Sequence, residues 1–322
     1  MNSDPLGNLA SPARMNAGRA ASRPLRGIVP PLATPLAGRD QLDHAALERL
    51  VERIITGGVH GLFVLGTTGE AAALSARLRR EVVERVTRQV AGRIPVLVGV
   101  SDTSLADALA ASKHAADCGA DAIVTTTPYY VPLEQSELLD FFRALHDESP
   151  LPLYLYNMPG LTKTWISLEV IRAAMDLPNV HGLKDSSGDL GYFRDAAGEL
   201  HRRPDWSLLV GPESLMVDTL ALGGHGCVGG GANVWPQLFV ALYDAATRGD
   251  LPEVERLQSQ LGALAIIYSD GQYGACAIRG IKCALSIIGI CDEQMAAPFR
   301  PSSAEQRAAI AARLEELGVP RG

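Results

Sequence analysis

Lysine is nearly absent from this chain. Of its 29 basic residues only Lys113, Lys163, Lys184 and Lys282 are lysines, and arginine supplies the rest. Long apolar runs are lacking too, and no stretch approaches the roughly 20 residues of a membrane-spanning helix, so no membrane is expected as a partner. Cysteine is sparse and scattered: Cys118, Cys227, Cys276, Cys283 and Cys291 include no CxxC pair. An odd number of cysteines without metal-ligand spacing argues against a disulfide framework and for reduced thiols, hence a cytoplasmic location. Positive charge is not in excess, since the net charge is −7 and no basic stripe with interleaved aromatics occurs. Nucleic acid is therefore not an expected partner. Residues 1–25 carry Pro, Ser, Asn, Ala and Arg with one acid, Asp4, and lack the apolar centre of a secretory signal. They read as a disordered tail, or as the product of a start codon placed too early, with Met15 as the alternative.

What is present is an alternation. With 322 residues and 47% hydrophobic composition the chain can bury a large core, as one α/β barrel or as two small domains. From Gly27 onward short apolar runs recur, at Gly27–Leu32, Gly61–Leu65, Pro95–Val100, Ala122–Thr126, Leu153–Tyr156, Val180–Leu183, Leu208–Val210 and Gly226–Val228. They are too short and too continuously apolar for half-exposed antiparallel strands, and fit parallel strands buried on both faces. Helical patterns lie between them. Leu74, Leu78, Val82, Val86 and Val90 recur every fourth residue with Arg and Glu between, as one buried face requires. Ser75 and Ser104 are suited to cap helix starts, and Gly92 and Gly119 to stop them. Eight such units predict a (β/α)8 TIM barrel over residues 26–247. A doubly wound open sheet is disfavoured because no Gly-rich phosphate fingerprint follows the first strand. Beyond Thr247 the pattern is purely helical, and predicts a C-terminal extension over 248–322 packed on the barrel.

In a barrel, chemistry gathers at the C-terminal ends of the strands. Lys184 ends the run Val180–Leu183 and is followed by Asp185-Ser-Ser-Gly188. An amine at such a place can attack a ketone and form a Schiff base, which an ever-protonated arginine cannot. A salt bridge with Asp185 is the structural alternative. The turn Gly66-Thr-Thr-Gly-Glu70 offers N–H groups and the hydroxyls of Thr67 and Thr68, which suit a small carboxylate. A tight threonine-capped turn would look the same. Tyr130 and Tyr156 can pass protons through a threonine hydroxyl, or else serve packing. Gly211-Pro-Glu213 follows the seventh strand. Gly229-Gly-Gly231 follows the eighth and lets a ligand, or a helix, approach the backbone.

Taken together, Gly66-Thr-Thr-Gly-Glu70, Thr127-Pro-Tyr-Tyr130, Leu155-Tyr-Asn-Met-Pro159, Gly182-Leu-Lys-Asp185 and Leu222-Gly-Gly-His-Gly226 resemble the dihydrodipicolinate synthase / N-acetylneuraminate lyase superfamily. The resemblance runs from Gly27 to the C-terminus. It implies a class I, metal-independent lyase or aldolase that needs no cofactor beyond a covalent lysine imine with its keto acid substrate. Lys184 would form that imine with pyruvate, Thr67 and Thr68 would hold the carboxylate, and Thr67 would link the phenols. Tyr156 would be the general acid and base, and the Val228 backbone carbonyl would face the site. Tyr130 matches the residue commonly lent to a neighbouring subunit, which implies a homotetramer built as a dimer of dimers.

The branch rests on fewer residues. Synthases of this superfamily usually carry, two residues after the proline of Tyr-Asn-x-Pro, an arginine for the second substrate's carboxylate. Leu161 stands there, and it cannot make that bidentate pair. Lys163 could substitute in part, although a solvated loop lysine is the plainer reading. The resemblance of Leu161, Thr162 and Lys184-Asp-Ser-Ser-Gly-Asp189 to sialic acid lyases and 2-keto-3-deoxy sugar acid aldolases favours cleavage or dehydration of a 2-keto-3-deoxy sugar acid or hydroxy-oxo-acid. Thr67, where sialic acid lyases usually have serine, points away from those lyases. Ser186, Ser187 and Glu213 could meet a polyhydroxylated chain, and Glu213 equally reads as a helix N-terminal acid. The alternative is 4-hydroxy-tetrahydrodipicolinate synthase, acting on pyruvate and aspartate semialdehyde. A barrel that binds a keto acid without turning it over is a third reading, against which the intact Lys184, Tyr156 and Thr67 set argues.

Overall fold

The structure, a computed structural model, describes residues 24–269 and 275–321. The tail expected over residues 1–25 therefore lies almost wholly outside the described residues. Eight short strands carry the fold: β1 (Gly27–Ile28), β2 (Leu62–Val64), β3 (Val96–Gly99), β4 (Ala122–Thr126), β5 (Leu153–Asn157), β6 (Val180–Asp185), β7 (Ser207–Val210) and β8 (Gly226–Cys227). All neighbours pair in parallel, in sequential order, and β8 returns to β1. Closure between β1 and β2 runs through a bridge of Pro31 with Phe63. Leu32 N–H donates to Phe63 O at 2.8 Å, and Phe63 N–H to Pro30 O at 2.9 Å. Pro30 and Pro31 have no N–H to give, so regular pairing of β1 ends at Ile28 although the strand direction continues.

Side-chain alternation sorts this sheet into two cores. Val29, Phe63, Leu97, Val124, Tyr154, Tyr156, Leu209 and Val228 fill the barrel. Ile28, Leu62, Val96, Val98, Ile123, Leu155, Leu183, Leu208 and Cys227 face outward to the helices. The β5–β6 register contains one irregularity. Leu153 pairs with Val180 but Tyr154 pairs with Gly182, so β6 carries one extra residue there.

The helices are α1 (His44–Thr56), α2 (Ala76–Val90), α3 (Leu105–Asp117), α4 (Gln135–Glu148), α5 (Leu168–Met175), α6 (Leu190–Gly198), α7 (Met216–Ala221) and α8 (Pro236–Arg248). Ser75 Oγ accepts from Leu78 N–H and Ser104 Oγ from Asp107 N–H, as their sequence positions suggest. The left-handed cap of α2 is Ala91, one residue before the expected Gly92. A hairpin of Leu36–Gly38 with Gln41–Leu42 was not expected; its turn holds Asp40 at φ 54°. No helix among the described residues is long and apolar enough to cross a membrane.

Three further helices follow, α9 (Leu251–Ser269), α10 (Ala275–Ile287) and α11 (Ala304–Glu316). α10 lies against α9 at Gly280, where a Cβ would come 2.2 Å from Ile267 O, so the crossing requires glycine. From α10 the fully buried Lys282 reaches Glu70 at 2.6 Å. Lys282 also donates to Gln294 O at 2.6 Å, and Glu70 accepts from Ala296 N–H at 2.8 Å. The turn after β2 is thus anchored to the C-terminal helices by a paired, hydrogen-bonded charge.

Candidate active site

Register brings the central pair together. Tyr156 on β5 pairs with Lys184 on β6, and Asn157 pairs with Asp185. Successive residues point to opposite faces, so the phenol and the amine project side by side into the barrel mouth while Asn157 and Asp185 point away. Lys184 is only 6% exposed. Its Nζ lies 3.8 Å from the Tyr156 ring centroid and 5.1 Å from that of Phe63. The salt-bridge reading of Lys184 with Asp185 finds no support in the geometry. Asp185 accepts instead from Asn157 Nδ2 at 2.8 Å, from Ser187 N–H at 3.1 Å and from Ser187 Oγ at 2.9 Å. Burial raises the Asp185 carboxyl above its ordinary range, and these hydrogen bonds oppose the rise.

The turn after β2 supplies the second element. It is drawn tight by Gly69 N–H donating to Gly66 O at 3.1 Å and Glu70 N–H to Thr67 O at 3.0 Å. Gly69 is required because a Cβ there would come 2.8 Å from Leu32 O. Thr67 Oγ1 stands 3.3 Å from Tyr156 Oη. Neither Thr67 N–H nor Thr68 N–H has an acceptor among the described residues. The Thr68 hydroxyl lies against Gly230, which follows β8, the strand on the other side of β1.

Burial alone would raise the Tyr156 phenol. The charge of Lys184 and hydrogen bonds with Thr67, Ser186 and Lys184 outweigh it and hold the phenol below its usual value. Ser186 is positioned by its N–H, which donates to Asn157 O at 2.8 Å. It also explains Gly211, where a Cβ would stand 1.9 Å from Ser186 Oγ. Val228 belongs to the cluster that fills the barrel, as Tyr156 does, and its carbonyl accepts no hydrogen bond among the described residues.

Other expected residues lie elsewhere. Tyr130 is 94% exposed at φ 81° and does not join Tyr156 in its own chain, so Thr67 links one phenol here and not two. Leu161, 46% exposed, sits on the short helix Pro159–Thr162. Lys163 turns back on that helix and donates to Gly160 O at 2.8 Å. Glu213 was expected to meet substrate hydroxyls, but both its oxygens already have partners. Gly231 N–H donates to Oε1 at 2.5 Å and Tyr268 Oη donates to Oε2. Burial pushes Glu213 up to about 7 against those two bonds.

Three contributors escaped the sequence reading. Phe63 beneath the amine was available from strand alternation, and Asn157 from its place directly after Tyr156. Tyr268, 55 residues from Glu213 in the chain, carried no local signal. A metal-ligand spacing was also passed over. His114 and Cys118, four apart, bring their ligand atoms within 4.8 Å of one another and of Glu84. That cluster lies on α2 and α3, away from Lys184. Two surface cavities of about 860 and 400 Å³ likewise include neither Lys184 nor Tyr156.

Comparison with known proteins bears on this arrangement. The Dihydrodipicolinate synthetase family matches residues 24–317. A 4-hydroxy-tetrahydrodipicolinate synthase of Phenylobacterium zucineum is 38% identical, over 91% of this chain and 98% of its own. An uncharacterised DapA-like lyase of Halobacterium salinarum is 34% identical, over 92% of this chain and 95% of its own. Among solved structures, the dihydrodipicolinate synthase of Bacteroides thetaiotaomicron superposes with TM-score 0.89 at 46% identity, covering 92% of this chain and all of that one. YagE, a prophage protein of E. coli K12 solved in complex with pyruvate, gives TM-score 0.86 at 28% identity, covering 91% and 99%. A family match spanning the whole barrel, with an inward lysine on β6, makes the chain a member of the dihydrodipicolinate synthetase family and an enzyme of its class I, Schiff-base-forming lyase type.

Proposed function

We propose that Lys184 attacks the keto carbon of pyruvate, that the keto oxygen leaves as water, and that substrate and chain are then joined as an imine. The observation that supports this most is the pairing of Lys184 with Tyr156 on one inner face, with Thr67 hydrogen-bonded to the phenol. A phenol held below its usual value is better matched to proton transfer near neutrality than a free tyrosine. The unspent N–H groups of Thr67 and Thr68 suit the pyruvate carboxylate. Loss of a methyl proton to the Tyr156–Thr67 pair converts the imine to an enamine, which adds to an aldehyde. The reverse sequence releases pyruvate from a longer keto acid.

For the second substrate, the names of several relatives support condensation with aspartate semialdehyde, against the sequence-based preference for a sugar acid. That reading is the first proposal. Leu161 favours the second, an uncharged hydroxyl-bearing aldehyde from a 2-keto-3-deoxy sugar acid, since Lys163, the cation next to it in the loop, is folded onto Gly160. Glu213 lends the sugar acid less support than its sequence position suggested.

Two measurements test the proposal. Pyruvate with borohydride should add one reduced pyruvyl unit, mapped to the Lys184 peptide and lost in Lys184→Ala. A label elsewhere, or none, overturns the mechanism and revives a barrel that only binds. The same preparation is then assayed for pyruvate consumption with aspartate semialdehyde and for pyruvate release from 2-keto-3-deoxy sugar acids. Faster consumption supports the synthase, and faster release the lyase.

A further inference from the structure

The geometry points to a second, non-catalytic site: a three-residue centre for a zinc-like divalent cation, built from Glu84 of α2 and His114 and Cys118 of α3. His114 lies in the last turn of α3 and Cys118 is its C-cap, so their four-residue spacing puts both side chains on one face. Glu84 faces them from the adjoining helix. His114 Nε2 stands 3.6 Å from Cys118 Sγ and 3.7 Å from the Glu84 carboxylate.

Those separations can be compared with the edges of a coordination tetrahedron. Zinc holds sulfur at about 2.3 Å and nitrogen or oxygen at about 2.0–2.1 Å, which gives edges of about 3.6 Å for N···S and about 3.3 Å for N···O. Two of the three edges, 3.6 Å and 3.7 Å, thus already stand close to the span a tetrahedral ion requires, all three donors lie within 4.8 Å of one another, and a water would complete the set. Thiolate, imidazole and carboxylate together favour zinc or cobalt over magnesium or calcium, which take oxygen ligands alone.

His114 Nε2 also lies 3.3 Å from Arg80 O, so binding requires the tautomer with its proton on Nδ1. The thiol must lose its proton as well. Burial, with help from Glu84 and Asp117 and against Arg88, raises the Cys118 thiol above its usual value. A cysteine thiol ordinarily titrates above neutrality, so at pH 7 it gives up its proton only when the cation displaces it to solvent. Barrel helices run antiparallel to the strands, so the end of α3 lies at the face opposite the strand ends that carry Lys184. The ion would brace α2 against α3 and touch no substrate.

The probe is Co(II), added to the full chain in weakly buffered solution at pH 7. One Co(II) per chain should bind, with thiolate-to-metal charge-transfer absorption, release of about one proton, and bleaching by one equivalent of Zn(II). Cys118→Ser should remove the charge-transfer band. His114→Ala and the exposed, fold-neutral Glu84→Gln should each weaken binding at least tenfold, while borohydride trapping of pyruvate stays unchanged. Absence of the band in the parent chain, or its survival in Cys118→Ser, overturns the proposal. A band that Glu84→Gln and His114→Ala leave at full affinity assigns the cobalt to another cysteine and overturns it equally.

Discussion

Tyr156 carries two duties that a single substitution can separate. Its ring packs under Lys184 and edge-on to Phe63, while its oxygen meets Thr67. Tyr156→Phe keeps the ring and removes the oxygen, so the barrel should stay folded while turnover falls by roughly 10²- to 10⁴-fold, the usual worth of general acid–base help. Steady-state kinetics with a melting curve tests this, and a variant as fast as the parent leaves Tyr156 a packing residue. Glu213, after β7, is a second buried titratable group. Its folded carboxyl titrates near 7, above an ordinary value of 4.5. The folded chain therefore binds this proton more tightly than the unfolded one, and the stability it contributes is present below about 4.5 and is lost as pH rises through about 7. Glu213→Gln mimics the protonated acid toward Tyr268 and Gly231. It should remove that fall, which is on the order of 3 kcal/mol, and denaturant titrations across this range would show it. Equal pH slopes in the two proteins would rule out the assignment.

At the scale of elements, the strands were legible because burial on both faces leaves short apolar runs that nothing else in the chain imitates. Ala122–Thr126 was expected and found to the residue, and β1 came out shorter only because Pro30 and Pro31 cannot donate to a ladder. The hairpin around Asp40 is too short to display alternation. The inward lysine and its tyrosine could be read as a pair at strand ends, whereas the exposure of Tyr130 and the internal use of Glu213 depend on chain segments far away in sequence. The same limit hid the Glu70–Lys282 pair, since Lys282 lies 212 positions downstream on α10. Lys282→Met should lower stability by about 3–5 kcal/mol by stranding the Glu70 carboxylate, and Glu70→Gln added to it should recover much of the loss. A small effect in urea unfolding would show that the pair is dispensable.

For the whole molecule, the exposure of Tyr130 and its neighbour Val131 raises the question of what covers them. We propose that a second copy of this chain does, with Tyr130 completing the partner's site as the family resemblance implies. Specific activity should then fall on dilution in step with dissociation measured by sedimentation, and Tyr130→Phe should slow turnover in the undiluted assembly. Activity that is independent of dissociation would place the complete site within one chain.

The extra residue in β6 has a directional consequence. Val180 and Leu183 both face the helices although three positions apart, because parity flips at the irregularity beside His181. Were β6 uniform, Tyr154 would sit opposite His181 and Tyr156 opposite Leu183, and the amine would point into the helical layer. The nucleophile owes its heading to the ladder absorbing one surplus residue three positions before it. With His181 deleted, Gly182 would follow Val180 directly and still meet Tyr154, so the amine should keep its heading. One residue inserted between Gly182 and Leu183 should instead invert the strand end, bury leucine in the mouth and leave every catalytic side chain present in the sequence yet the site unassembled.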